Sequence, residues 1–302
     1  MNGTGHSILF QVALDRMTPQ ARAGITQLLT KNTKNPEEGG FETPSVDNFL
    51  PNQAQYPDQW KSYARKNHLP NDEGNLHFES IAIGPNAAGH SSNAGGPNGE
   101  THLEKQELIA ADKSADPALR ANATRWVVHE FGDVGAQPLH VIGFYSPEFP
   151  NGDQGGNKFN LNWQSEGKFD DNLHSLLDGG GAHPDPSDST KSVDNYRWVH
   201  LPLSGDDQSF IQDKAKEIES KYNFSLNDPK VLDQNPADWS KDLAGQADHD
   251  VYPMFKPGEN ISPSDSRLVK MENIMDANVG LAGARLAAWA NATFGGASAQ
   301  AA

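Results

Sequence analysis

Two His-x-x-x-Asp pairs, His129 with Asp133 and His174 with Asp178, constrain this 302-residue chain more than any other feature. Residues four apart lie on one helix face, about 5–6 Å apart at Cβ. Each pair therefore predicts a helical turn that aims an imidazole and a carboxylate at one point. Two such tips can close on a zinc ion at bond lengths of about 2.0–2.2 Å. The chain has eleven histidines and no cysteine. That excludes disulfides and thiolate sites, and leaves any metal to His, Asp, Glu and the backbone. His140 follows Pro138-Leu139 between the pairs, His77 lies upstream in Leu-His-Phe, and Asp58 follows Tyr56-Pro57. A single His-x-x-x-Asp is more often a surface ion pair, and an isolated His77 more often a hydrogen-bonded core residue. By spacing alone, a metal site and these ordinary roles both stay open.

The rest of the pattern is helical. Residues 7–30 carry Ile8, Leu9, Val12, Met17, Ile25 and Leu29 at helical intervals, and Thr18-Pro19 restarts a second helix in cap-then-proline order. Residues 101–112, 117–132, 207–222 and 273–291 read as further helices. Residues 31–57, 84–99, the stretch after Val141 and 179–192 are rich in Gly, Pro, Asn and Asp and read as loops. Gly and Pro together fill 28 and 20 positions, and alternation of the strand type is scarce. The expectation is a mainly α, single helical domain over 1–294 with long loops and little strand, followed by a frayed tail at 295–302. His68, His90, His102, His183, His200 and His249 match no ligand position and are expected in loops or on the surface.

The chain resembles the zinc-dependent single-strand-specific nucleases of fungi, plants and bacteria, which share a helical fold with bacterial zinc phospholipase C. The resemblance rests on Gly5-His6, His129-Glu-Phe-Gly-Asp133, Gln137-Pro-Leu-His140, Asp153-Gln-Gly-Gly-Asn157, Asn172-Leu-His174 with Asp178, and Ala282-Gly-Ala-Arg-Leu-Ala287, in that order along the chain. It implies three Zn2+ ions. Asp58, His77, His129 and Asp133 would hold the first. Asp133 would bridge to a second, held also by His6 and by the amino group and carbonyl of Met1. His140, His174 and Asp178 would hold the third. Met1 stands five before His6, as the family's terminal amine does, which suggests a mature-like terminus.

The implied activity is hydrolysis of single-stranded DNA and RNA to 5′-phosphate products, with 3′-nucleotidase action on nucleotides, by a secreted or periplasmic monomer. Asp58, Lys61 and Asp133 are the implied catalytic residues; Lys61, Phe78, Ser80 and Asn157 are the implied substrate contacts. Phe78 matches an aromatic that stacks on an unpaired base, and Lys61 matches a basic phosphate contact, usually arginine. Further departures are Met1 for tryptophan, Ser80 for a carboxylate or amide, Leu177 for tryptophan, and a Val134-Gly-Ala136 stretch one residue longer than usual. None removes a side-chain ligand. The alternatives are a phosphodiesterase of the phospholipase C type and a zinc-binding homologue without catalysis.

A formal charge of −16, from 24 basic and 40 acidic residues, argues against a protein that coats DNA by neutralising phosphates. It leaves a metalloenzyme open, because three zinc ions would return six positive charges to the site. No run of 18 apolar residues exists, so no membrane span is expected.

Overall fold

The computed structural model describes residues 1–35, 41–42, 49–69, 73–90, 98–163, 172–199 and 203–296. Parts of the expected loops, His200 and the tail beyond 296 lie outside the described residues. Helix α1 (Gly3–Arg16) starts at Asn2, whose side chain accepts from the Gly5 amide. It is buried without interruption from Thr4 to Leu14, as befits a helix with no solvated face. Around it pack α5 (Pro117–Asp133), α7 (Gly205–Lys221) and the closing helix α10 (Ser266–Phe294). Helix α2 (Pro19–Lys31) begins at the expected Thr18 cap, with Pro19 in its first turn.

Next comes a tight 3-10 turn, Leu50–Gln55, which runs directly into α3 (Tyr56–Lys66). Then α4 (Gly99–Ala111) and α5 (Pro117–Asp133) pack side by side. The short α6 (Leu173–Asp178) carries the second His-x-x-x-Asp pair. Helices α7 (Gly205–Lys221), α8 (Pro229–Leu232), α9 (Pro236–Gln246) and α10 (Ser266–Phe294) complete the helical set among the described residues.

The mainly α reading holds. All six expected helices appear, most with ends shifted by a few residues and α10 starting well ahead of residue 273, while α3 and α9 arise where loops or no element were expected. Both place a proline in the first turn and bury residues at i, i+4 spacing: Tyr56, Trp60 and Ala64 in α3, Trp239 and Leu243 in α9. Each is eleven residues long, too short for its period to stand out from a polar background.

Among the described residues, strands form only two-stranded pairs. One of them matters for the site: Ile81–Ile83 pairs in parallel with Ile142–Phe144, Ile81 opposite Ile142. Just ahead of this ladder the Glu79 amide donates to the His140 carbonyl at 2.7 Å. The pairing ties the segments that carry His77 and His140, which α4 and α5 separate in sequence. Among the described residues, no helix is long and apolar enough to cross a membrane.

Candidate metal centre

Six stretches of chain converge on one end of the bundle, α3 among them with Asp58. Helix α5 brings His129 and Asp133 in its last turn, and His129 Nε2 lies 3.0 Å from Asp133 Oδ2. The 3-10 turn Gly74–His77 brings His77, whose Nδ1 is 2.9 Å from the same oxygen. Helix α1 brings His6, with Nε2 at 3.3 Å from Asp133 Oδ1. The 3-10 turn Pro138–Val141 brings His140, with Nδ1 at 2.9 Å from that oxygen. Helix α6 brings His174 and Asp178, 3.4 Å apart. Asp133 therefore touches four imidazoles at once while only 1% exposed.

The donor atoms fall into three groups, each within 4.8 Å: His6, Asp58 and His129; His77, His129 and Asp133; His140, His174 and Asp178. The last equals the third expected set. In the other two, His6 groups with Asp58 and His129, whereas the resemblance pairs it with Met1 and Asp133. The Met1 amine lies 2.9 Å from Asp178 Oδ1, 3.0 Å from His140 Nε2 and 3.4 Å from Asp133 Oδ1. It thus stands against Asp133 and two members of the third group.

The residues fit a metal. His6 Nε2 and His140 Nδ1 are buried with no hydrogen-bond partner. His6 Nε2 and His140 Nδ1 stand close to Asp133 without meeting it in hydrogen-bond geometry, as donors sharing a cation do. Buried polar atoms left without partners are costly, and a cation among them removes that cost. Burial lowers His6 to about 3, helped by the neighbouring His129. It also lowers His77 to about 4. Both imidazoles are therefore neutral, the form that binds zinc. Burial works against ionising Asp133 and Asp178, but the surrounding imidazoles and the amine outweigh it and hold both carboxyls well below the usual range.

Tautomers are fixed from behind. His129 Nδ1 donates to the Ala54 carbonyl at 2.7 Å, and His174 Nδ1 donates to the Gly155 carbonyl at 2.6 Å, leaving each Nε2 as the ligand atom. Arg125, one turn before His129, is fully buried and donates to Gln53 Oε1 at 2.6 Å, and to the Leu29 and Asn32 carbonyls. It thereby secures the turn that presents Ala54. Asp153 accepts from the Phe144 and Gly156 amides and from Tyr252 Oη at 2.5 Å, so it braces the loop that presents Gly155. Gly155 itself has φ +60, and a Cβ there would meet the Leu139 carbonyl oxygen at 2.3 Å. Gln137 donates to Asp178 Oδ1 at 2.8 Å. These supports sit in stretches singled out from sequence, but their contacts span separate segments that spacing does not relate.

A cleft of 690 Å³ opens over the cluster. Asp58, Lys61, His77, Phe78, Asp133, Asn157 and the third group line it. Lys61 Nζ lies 2.5 Å from Asp58 Oδ1. Burial opposes its charge, and the Asp58 carboxylate overcomes this and raises the ammonium. Phe78 is 48% exposed, so it is a surface ring and not core packing. Ser80 is exposed and does not border the cleft. Its neighbour Glu79 is buried, accepting from the Glu100 amide and from Asn98 at the start of α4.

One histidine departs from its expected surface position. His102, on α4, is buried, with Nδ1 2.6 Å from Glu130 Oε1 and its ring edge-on to Trp126. It lies behind the ligands, across Trp126 from His77. Sequence reasoning also passed over Arg65 and Trp198, both of which border the cleft.

Among curated proteins no match was found. A family model described as S1/P1 Nuclease matches residues 2–295, a span that includes every side-chain ligand candidate. The chain belongs to the S1/P1 nuclease family, and is with it a hydrolase acting on phosphodiester bonds of nucleic acid.

Proposed function

We propose that the chain hydrolyses single-stranded DNA and RNA to 5′-phosphate products, with 3′-nucleotidase action on nucleotides, using three Zn2+ ions. The observation that carries this reading is the cluster of eight side chains and one amine at the floor of a cleft. Its wall offers an ammonium at Lys61 and an exposed ring at Phe78. The donor set is imidazole, carboxylate and amine, which suits zinc.

His6, Asp58, His77, His129, Asp133, His140, His174, Asp178 and the Met1 terminus would hold the metals. Bound zinc supplies positive charge for the phosphate and a water whose pKa falls to about 7. Asp58 and Asp133 are both held ionised, so they serve as fixed negative partners and not as proton acceptors. Lys61 binds a phosphate oxygen as a point charge, without the bidentate grip of arginine. Phe78 stacks on a base, an interaction worth roughly 1–3 kcal/mol that tolerates any sequence and needs the base unpaired. Asn157, exposed and bordering the cleft, contacts the sugar-phosphate chain. Members of the family are typically secreted, and we assign this chain an exported, monomeric role.

The test is incubation of zinc-loaded protein with single-stranded DNA, RNA and a phosphatidylcholine emulsion, with and without chelator. Chelator-sensitive release of 5′-mononucleotides supports the proposal. Hydrolysis of the lipid alone points to a phospholipase C type enzyme, and no hydrolysis at full zinc occupancy to a binding protein without catalysis.

A further inference from the structure

The cleft extends beyond the groups used so far. On α3, Asp58, Lys61, Ser62 and Arg65 all border it. Residues at i, i+3 and i+4 share one face, so they form a row leading away from the cluster. Lys61 stands beside Asp58, and the exposed Arg65 lies one turn further out. A strand running along α3 thus meets a second cation one turn from the first, in a protein whose formal charge is −16.

Trp198 also borders this cleft and is 43% exposed, an indole open to solvent beside a cationic row. The two residues that precede it are held in place. Two residues before it, the Tyr196 amide donates to the Gly179 carbonyl at 2.7 Å, and Tyr196 Oη donates to Asp276. The Tyr196 carbonyl accepts from Asn2 Nδ2 at 2.7 Å, linking this segment to the chain end that reaches the cluster. One residue before it, Arg197 pairs with Asp207 at 3.1 Å and lies over the Phe210 ring. An exposed aromatic held by such contacts is preorganised for stacking, since little freedom remains to be lost on binding.

Resting on the nuclease reading above, we propose that Trp198 and Arg65 form a second nucleotide subsite. Trp198 stacks the base next to the one on Phe78, and Arg65 pairs with the phosphate adjoining the scissile one. The chain is then a reader of oligonucleotides in preference to mononucleotides, with an unpaired base required at two positions.

Binding of a fluorescently labelled single-stranded DNA octamer with phosphorothioate linkages, followed by anisotropy on zinc-loaded protein, tests this apart from turnover. Trp198→Ala should weaken binding roughly ten-fold to a hundred-fold, the range for loss of one stacked base. Trp198→Phe should recover most of it. Arg65→Ala should make log Kd less steep against log salt by about 0.7, the share of one phosphate on a single strand. In parallel, kcat/KM is measured for the unmodified octamer and for a 3′-mononucleotide. Trp198→Ala should reduce the ratio of the two by a similar factor, acting through KM. An octamer bound and cleaved equally well by wild type and Trp198→Ala overturns the subsite while leaving the nuclease reading intact. A wild-type protein that binds the phosphorothioate octamer but does not hydrolyse the unmodified one overturns the nuclease reading alone. A wild-type protein that does neither overturns both.

Discussion

The imidazoles of His6 and His129 lie stacked, with ring centroids 3.8 Å apart and planes 13° from parallel. One comes from the second turn of α1 and the other from the end of α5. Two rings in such contact cannot both carry charge without strong repulsion, and His6 is lowered to about 3 by burial and then by His129. The stack sets the neutral His6 ring flat against His129 where two buried helices cross.

Asp133 is the residue most widely shared in the cluster, since its two oxygens face His6, His77, His129 and His140. Asp133→Ala should lose about two zinc ions per chain by metal analysis, and Asp178→Ala about one. Equal losses from the two variants contradict a bridging Asp133. Chelation of the wild type should also lower its melting temperature, because a ligand held at a hundred times its Kd stabilises by about 2.7 kcal/mol.

Gly132 is the one residue between Phe131 and Asp133 that lets α1 approach α5. A Cβ there would meet His6 Nδ1 at 2.4 Å and Met1 Cε at 2.9 Å. Gly132→Ala should cost about 1–3 kcal/mol by overpacking, and should lower zinc content by displacing His6. Gly245→Ala on α9 meets nothing within 4 Å and should stabilise by about 0.4–1 kcal/mol. Thermal denaturation of both variants checks the contrast.

Tyr252 acts on the metal ligands at second hand, through Asp153 and the loop presenting Gly155 to His174. Tyr252→Phe should reduce zinc affinity of the His140, His174 and Asp178 group by about 10-fold to 100-fold. A competitive chelator titration resolves this as weakening of one ion of three. Uniform weakening of all three would show a general loss of fold instead.

Glu107 on α4 has a buried, unpartnered Oε1. Burial, with help from Glu104, raises its carboxyl from 4.5 to about 7. The folded state therefore holds a proton that the unfolded chain gives up at lower pH. Its contribution to stability is complete below about pH 4.5 and is lost as pH rises to about 7. Glu107→Gln should flatten the pH profile of unfolding in that window and should be more stable than wild type above it. Parallel profiles for the two proteins would show that Glu107 is not the group responsible.

The sequence alone was enough for the helical class and, through the family resemblance, for naming the eight side chains that the fold brings together. His-x-x-x-Asp spacing within one helical turn is a local property, and α5 and α6 each deliver their pair with no help from distant segments. The caps and first-turn prolines of α2 and α5 are equally local. What spacing could not determine was which ligands share a point, because that depends on where helices cross. Burial of α1 on all sides brought His6 onto His129, and a parallel ladder between distant segments brought His140 to His77. The same contacts placed His102 behind the cluster, left Ser80 off the cleft and put Trp198 on its rim. Each of these follows from long-range packing, in which a residue's neighbours come from other parts of the chain, and no local period records them.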